Sequence, residues 1–198
     1  MNQKRTSYSV SKDKLPEKFP THKHEDAFWE ALGRAVATFS MLEEVLGKAI
    51  FSFEATTPRS DTAVEDAYQK WISTLDKCLT GQLFSLTTRY EKAVTNNPES
   101  MTDNLPDFIS ELHKITEYRN VLCHGSWNKP PNSNGSTVPF FFKRNLDRFD
   151  TPINVDLLNQ IQNHTTALIC EVINTVTNMG WQFPGMKNGL GEIIAIED

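Results

Sequence analysis

Between residues 28 and 50 the chain places apolar side chains at steps of three and four: Phe28, Leu32, Ala35, Val36, Phe39, Leu42, Val45, Leu46, Ala49 and Ile50. An α-helix brings such positions onto one face; a strand scatters them over two. The spacing predicts a helix over residues 24–53, bent if anywhere at Gly33 or Gly47. An apolar stripe of this length must be covered by other elements. The chain has 198 residues, 38% of them apolar, enough for one domain with a sizeable core.

The covering elements are read the same way. "TTPRSD" at residues 56–61 ends the first helix, because Pro58 cannot continue it. Residues 61–79 form the next helical stretch, with Val64, Ala67, Tyr68, Trp71, Ile72 and Leu75 on one side. Gly81 marks either a break or a point the helix runs through toward Leu83, Leu86 and Tyr90. "TNNPES" is a loop. A further helix follows, capped by Asp103 or Asn104, with Pro106 in its first turn. Leu105, Phe108, Ile109, Leu112, Ile115, Val121 and Leu122 form its core face, and Gly125 sits where a positive φ commonly ends a helix. "NKPPNSNGS" is a loop, and "TVPFFFKRNLDRFDTP" has β character with "RNLD" as its turn. The last helix spans about residues 154–179, stopped by Gly180.

The expected fold is therefore all-α: an antiparallel bundle of four or five helices with a small β-hairpin at about residues 137–150, before the last helix. Residues 1–23 read as a flexible basic arm, 24–180 as the helical domain and 181–198 as a tail. The arm carries six Lys/Arg against Asp13 and Glu17, a net +4, which leaves −9 on the rest of a chain whose total is −5. Such a body does not suit broad nucleic-acid coating, but it allows a local basic site. Cys78, Cys123 and Cys170 are odd in number, far apart and flanked by apolar residues, which predicts buried free thiols. There is no apolar run suited to a signal peptide and none of about 18 residues suited to a membrane span. The expected location is cytoplasmic.

Chemistry concentrates in "EYRNVLCHGSW", residues 117–127. Five helical steps separate Arg119 from His124 by about 140°, while Asn120 and His124, four apart, share a face. The carbonyl end of a helix favours a protonated imidazole and a nearby guanidinium opposes it, which suits a group that moves protons. Arg119 has candidate partners in Glu117, Glu111 or a residue of another helix. Glu43 and Glu44, beside the apolar stripe of the first helix, can reach toward Arg119 or His124, or remain a solvated pair. His22 and His24 are a weak metal pair. His113 lies on the side of His124 and reads as a surface residue. Trp29, Trp71, Trp127 and Trp181 read as core or interface anchors, and "PFFFKR" as a strand packed on the bundle. The glycines of "GMKNGLGEIIAIED" do not join a strand to a helix, so they make no phosphate loop.

The R-x4-H motif Arg119–His124, with Asn120 directly after the Arg and Gly125 after the His, resembles the signature of the HEPN superfamily. So does its place late in a helix, ahead of a final helix. The resemblance in helix order covers roughly residues 24–180. It implies metal-independent RNA cleavage by 2′-OH transesterification, with no cofactor. Arg119 would hold the phosphate, His124 would move a proton, and Asn120 would orient one of them. Glu43, Glu44 and Ser126 are supporting candidates. It further implies a homodimer joining two motifs in one cleft, RNA as substrate, a toxin–antitoxin or antiphage role, and an antitoxin protein as partner. Many catalytic members carry a Tyr two residues after the His; this chain has Ser126 there and an aromatic residue one position later, Trp127. Members that have lost activity serve as modules binding a nucleotide or a partner protein, which is the alternative reading.

Overall fold

The structure, a computed structural model, describes residues 7–60, 81–131, 135–143 and 145–185. Among these the chain is mostly helical, with four α-helices: α1 (Asp26–Thr56), α2 (Leu83–Asn96), α3 (Leu105–His124) and α4 (Val155–Thr177). Two 3₁₀ turns, Lys12–Lys14 and Thr21–Lys23, precede α1. The helix expected over residues 61–79 lies outside the described residues, with Trp71 and Cys78. Gly81 does mark a break: Gln82 is extended, and α2 starts at Leu83.

α1 runs through Gly33 and Gly47 as one helix and buries the expected stripe, with Phe39, Leu42, Val45, Leu46, Ala49, Ile50 and Phe53 almost wholly removed from water. Its main partner is α4, then α2. Side-chain pairs give the directions. Glu43 meets Leu83 and Phe53 meets Asn97, so α1 and α2 run parallel. Phe84 faces His113 and Tyr90 faces Phe108, so α3 runs against α2. α4 runs against α3 in turn: His164 meets Glu111, and the later Thr175 meets Tyr90, the ring partner of the earlier Phe108. The expected alternation of direction thus holds from α2 to α4, while α1 and α2 are separated by the undescribed stretch.

Two buried polar contacts fix this packing. Tyr90 donates its hydroxyl proton to Thr175 Oγ1 at 2.9 Å, and Thr175 donates onward to the Val172 carbonyl at 2.7 Å. Burial pushes the Tyr90 phenol well above its usual range, with the Thr175 bond opposing and the Glu171 carboxylate adding to the rise. At the other end of α2, Asn97 is 3% exposed. Its Nδ2 donates to the Phe53 carbonyl and to Thr56 Oγ1, both at 2.9 Å, and its Oδ1 accepts from the Glu99 N–H. One amide thereby ties α2 to the C-terminal end of α1, where the Phe53 carbonyl also accepts from the Thr57 N–H and hydroxyl.

Three expectations are corrected. No strand or sheet forms among the described residues, so the hairpin expected at about residues 137–150 is not shown as paired strands. Isolated antiparallel bridges take its place: Ser126 with Phe140, Thr137 with Ile153, and Phe142 with Arg148. Thr137–Ile153 and Phe142–Arg148 share one antiparallel register, but between them Phe140 turns its backbone to Ser126 instead, so no continuous ladder develops. Cys123 and Cys170 are exposed free thiols, not buried ones. Apolar residues adjacent in sequence point to other faces of a helix, as buried Val121 and Leu122 do beside Cys123. Asn104 occupies the N-cap of α3 in a left-handed conformation, φ 50°, yet its side chain caps no backbone amide; its Nδ2 donates to Asp107 Oδ2 at 2.7 Å. At α4 the cap is made by Asn154, whose Oδ1 accepts from the Leu157 N–H. Beyond α4, Phe183 is buried.

Replacing Asn97 with Ala removes the hydrogen bonds of a buried amide that joins α2 to α1, while the Phe53 carbonyl keeps its Thr57 donors. We expect Asn97→Ala to lower stability by about 2–3 kcal/mol in urea denaturation. A change below about 0.5 kcal/mol would show that the amide is not what ties α1 to α2.

Candidate functional site

The last two turns of α3 carry the Arg–Asn–His motif. Arg119 and Asn120 are half-buried, and His124 ends the helix with its ring exposed. Glu117, Asn120 and His124 recur at steps of three and four and so form one stripe along α3. Arg119 and Cys123, four apart, form a second stripe beside it.

Arg119 reaches across to α1. Its Nε donates to Glu43 Oε1 at 3.2 Å, and its Nη2 lies 3.1 Å from the same oxygen. That oxygen also accepts the backbone N–H of Leu83, at 3.2 Å. Glu43 Oε1 therefore gathers three donors: two from the guanidinium, and the first amide of α2, which has no partner within its own helix. The side chains of Arg119 and Glu43 are 20% and 22% exposed, so the pair is neither dry nor fully solvated. On the other side Arg119 Nη1 donates to Asn120 Oδ1 at a long 3.5 Å. Among the described residues these are the contacts of the guanidinium, which retains N–H groups for a further acceptor.

Glu44 lies elsewhere: Lys48 Nζ donates to its Oε1 at 2.6 Å, one turn along α1. Glu111, a candidate partner of Arg119, is taken by Lys114 at 2.7 Å and by His164 at 3.5 Å. Glu117, another candidate, pairs with Lys143 at 2.8 Å. The structure thus brings Arg119, Asn120 and Glu43 together and leaves Glu44 outside. Among the described residues His124 makes no hydrogen bond or ion pair.

Spacing alone places Cys123 beside Arg119, though the motif draws attention away from it. Though exposed, the thiol is partly shielded from water, which pushes its pKa up; the Arg119 guanidinium opposes, and the Glu43 carboxylate adds to the rise. What sequence reading missed is the amide of Leu83. The signal was the chain break at Gly81, which starts a new helix whose first donors need an acceptor.

Gly125 has φ −69° and ψ 144°, an extended backbone, so the expected positive φ is absent. Close packing restricts the position instead. A Cβ there would stand 2.6 Å from the Val121 carbonyl oxygen and 3.1 Å from Pro139 Cβ. The Gly125 N–H closes the helix on that same carbonyl, at 2.8 Å. Ser126 exchanges two backbone hydrogen bonds with Phe140, at 3.1 and 2.8 Å. Trp127 turns inward and meets Phe28 edge-to-face at 5.1 Å.

The chain before α1 is pinned to this same end. His24 stacks on Phe28 at 4.1 Å, and its Nε2 lies 2.8 Å from the Asn128 carbonyl. Burial lowers the His24 pKa, with the Asn128 carbonyl opposing and Lys23 adding to the lowering. Trp29 donates its indole N–H to the Thr21 carbonyl. His113 is half-buried against Phe84, with a ring nitrogen, Nδ1, shut away from water and unpartnered among the described residues; it is not the surface histidine expected.

Compared with protein-family models, with curated proteins and with solved structures, the chain matches none.

Two substitutions test the framework. Glu43→Ala loses the guanidinium partner and the acceptor for Leu83, and should cost about 2 kcal/mol. Glu43→Gln keeps a carbonyl acceptor, and solvent already screens the ion pair, so about half that is expected. Equal losses from the two variants would show that the amide contact contributes nothing. Gly125→Ala forces the α3 end and Pro139 apart and should cost about 1–3 kcal/mol by thermal or urea melting. A neutral result would mean the turn relaxes freely.

Proposed function

We propose that this protein is a metal-independent endoribonuclease of HEPN type, working as a homodimer in toxin–antitoxin or antiphage defence. The observation that carries the reading is the end of α3. There an unpartnered, exposed His124 shares a face with Asn120, while Arg119 beside them is steadied by Glu43. The steps follow from that chemistry. A ribose 2′-OH gives up its proton to an imidazole and attacks the adjacent phosphorus. The bond from phosphorus to O5′ breaks, and the departing oxygen takes a proton from a second imidazole. Paired protomers would supply both histidines. The products are a 2′,3′-cyclic phosphate and a 5′-OH. Arg119, through the N–H groups that Glu43 leaves free, offsets the charge growing on the phosphate oxygens. Asn120, bonded to Arg119 and one turn before His124 on the same face, holds the pair in register. Glu43 acts on Arg119 and does not touch substrate; it is a positioning residue.

A second reading rests on the same ion pair. With Glu43 neutralising Arg119, and with Ser126 where many catalytic members have Tyr, the α3 end would serve as a binding module for a nucleotide or a partner protein.

The deciding assay incubates total tRNA and mRNA with protein in EDTA and identifies the product ends. Wild type should leave 2′,3′-cyclic phosphate, and His124→Ala and Arg119→Ala should each lose at least about 100-fold in rate. Melting and sedimentation would establish that both variants are folded. Absence of cleavage by a folded wild-type dimer would sink the nuclease reading and leave the binding module.

A further inference from the structure

Residues 139–149 run beside the motif and are held there at several points. Phe140 exchanges backbone hydrogen bonds with Ser126, and Lys143 pairs with Glu117, which shares the stripe of Asn120 and His124. Phe149 packs edge-to-face on Tyr118 at 6.2 Å. Within the segment the backbone turns back on itself: Phe149 N–H donates to the Phe141 carbonyl, and Lys143 N–H to that of Asp147. Side chains alternate accordingly. Pro139, Phe141 and Phe149 face the core or are half-buried against it. Phe140 and Phe142 face out, 51% and 49% exposed.

Those two exposed rings are ordered against each other. They meet edge-to-face at 5.3 Å, and the Arg148 guanidinium lies 5.9 Å over Phe140. Arg148 bridges to Phe142 across the turn, so all three side chains share one face. Among the described residues Arg148 has no carboxylate partner. Two large apolar groups left in water, with a cation over one of them that no carboxylate of the described residues pairs, call for a ligand. The patch adjoins the polar and charged Asn145, Asp147 and Asp150, with the exposed Leu146 in the same turn. Flat apolar faces with an adjacent positive charge match a nucleobase and its phosphate. The patch also sits beside the motif: Phe140 is the backbone partner of Ser126, two residues beyond His124.

We propose that Phe140, Phe142 and Arg148 form a stacking platform for unpaired bases of a single-stranded RNA, flanking the phosphate at the α3 end. This rests on the ribonuclease reading and adds its substrate class: RNA whose bases are unstacked, in loops or single strands. The aromatic rings hold bases without reading their identity, and Arg148 holds a neighbouring phosphate.

The test has two arms. One measures cleavage of a single-stranded RNA by wild type, Phe140→Ala/Phe142→Ala, Phe140→Tyr/Phe142→Tyr and Arg148→Ala. The other measures binding of a fully 2′-O-methylated single strand carrying 2-aminopurine, which cannot be cut and whose fluorescence falls on stacking. The double Ala variant should bind about tenfold or more weakly and lose the quenching. KM should rise in parallel while kcat stays within about twofold, and the double Tyr variant should restore both. Unchanged binding alongside normal wild-type cleavage overturns the platform and leaves the nuclease reading standing. Ring-dependent quenching without any cleavage supports the platform and sinks the nuclease reading. A double Ala variant that shifts from dimer to monomer marks the rings as a protein interface and overturns the platform. Wild type that binds no RNA overturns both.

Discussion

The buried stripe of α1 is the constraint on which the other helices depend. From Phe39 to Phe53 nearly every turn contributes a side chain fully removed from water. α4 covers most of it and α2 much of the rest, while α3 is held mainly through α2. A single helix cannot hide such a stripe, so the other elements are placed by the demand to cover it. The polar contacts then choose one arrangement among those the apolar surface allows. Asn97 ties α2 to the C-terminal end of α1, Tyr90 joins α2 to α4 through Thr175, and Glu43 joins α1 to both α2 and α3.

Glu43 couples stability to chemistry. A carboxylate that only paired with Arg119 would be a modest, partly screened interaction. By also accepting the first amide of α2, the same oxygen makes the position of the guanidinium depend on where α2 begins. Arg119 is therefore presented with part of its donor set occupied and part open, beside an imidazole with no described partner. This division of donors leaves N–H groups open, as the proposed contact with a phosphate needs on a protein of net charge −5. The cation is kept in place by an acid that stands behind it.

The elements that were legible in the sequence are those with long, regular periodicity. The helices at residues 26–56, 105–124 and 155–177 follow from three- and four-residue spacing, whereas at Gly81 the sequence left a break and a continuous helix both open. Where the reading failed, the property belonged to space. Cys123 and Cys170 looked buried because their sequence neighbours are apolar, yet those neighbours occupy other faces of the helix. The segment around residues 137–150 has the composition of strands, but a strand needs a continuous partner, and while Thr137 and Phe142 pair with Ile153 and Arg148 in one register, Phe140 between them pairs with Ser126. Gly125 was expected for its backbone freedom; the position is restricted because Val121 and Pro139 leave no room for a Cβ.

The same division holds at the motif. The sequence by itself determined that Arg119, Asn120 and His124 lie at the end of one helix, and that Asn120 and His124 share its face, because helical pitch is a local property of the backbone. It also marked Glu43 and Glu44 as the acids near the stripe. Only the tertiary structure decided between them, because one turn of α1 faces α3 and the start of α2 while the next residue points along the surface toward Lys48. Tertiary packing likewise set two exposed rings beside the motif. Phe140, Phe141 and Phe142 are alike in sequence, and only the backbone pairing with Ser126 and Arg148 turns the first and third outward and the second toward the core.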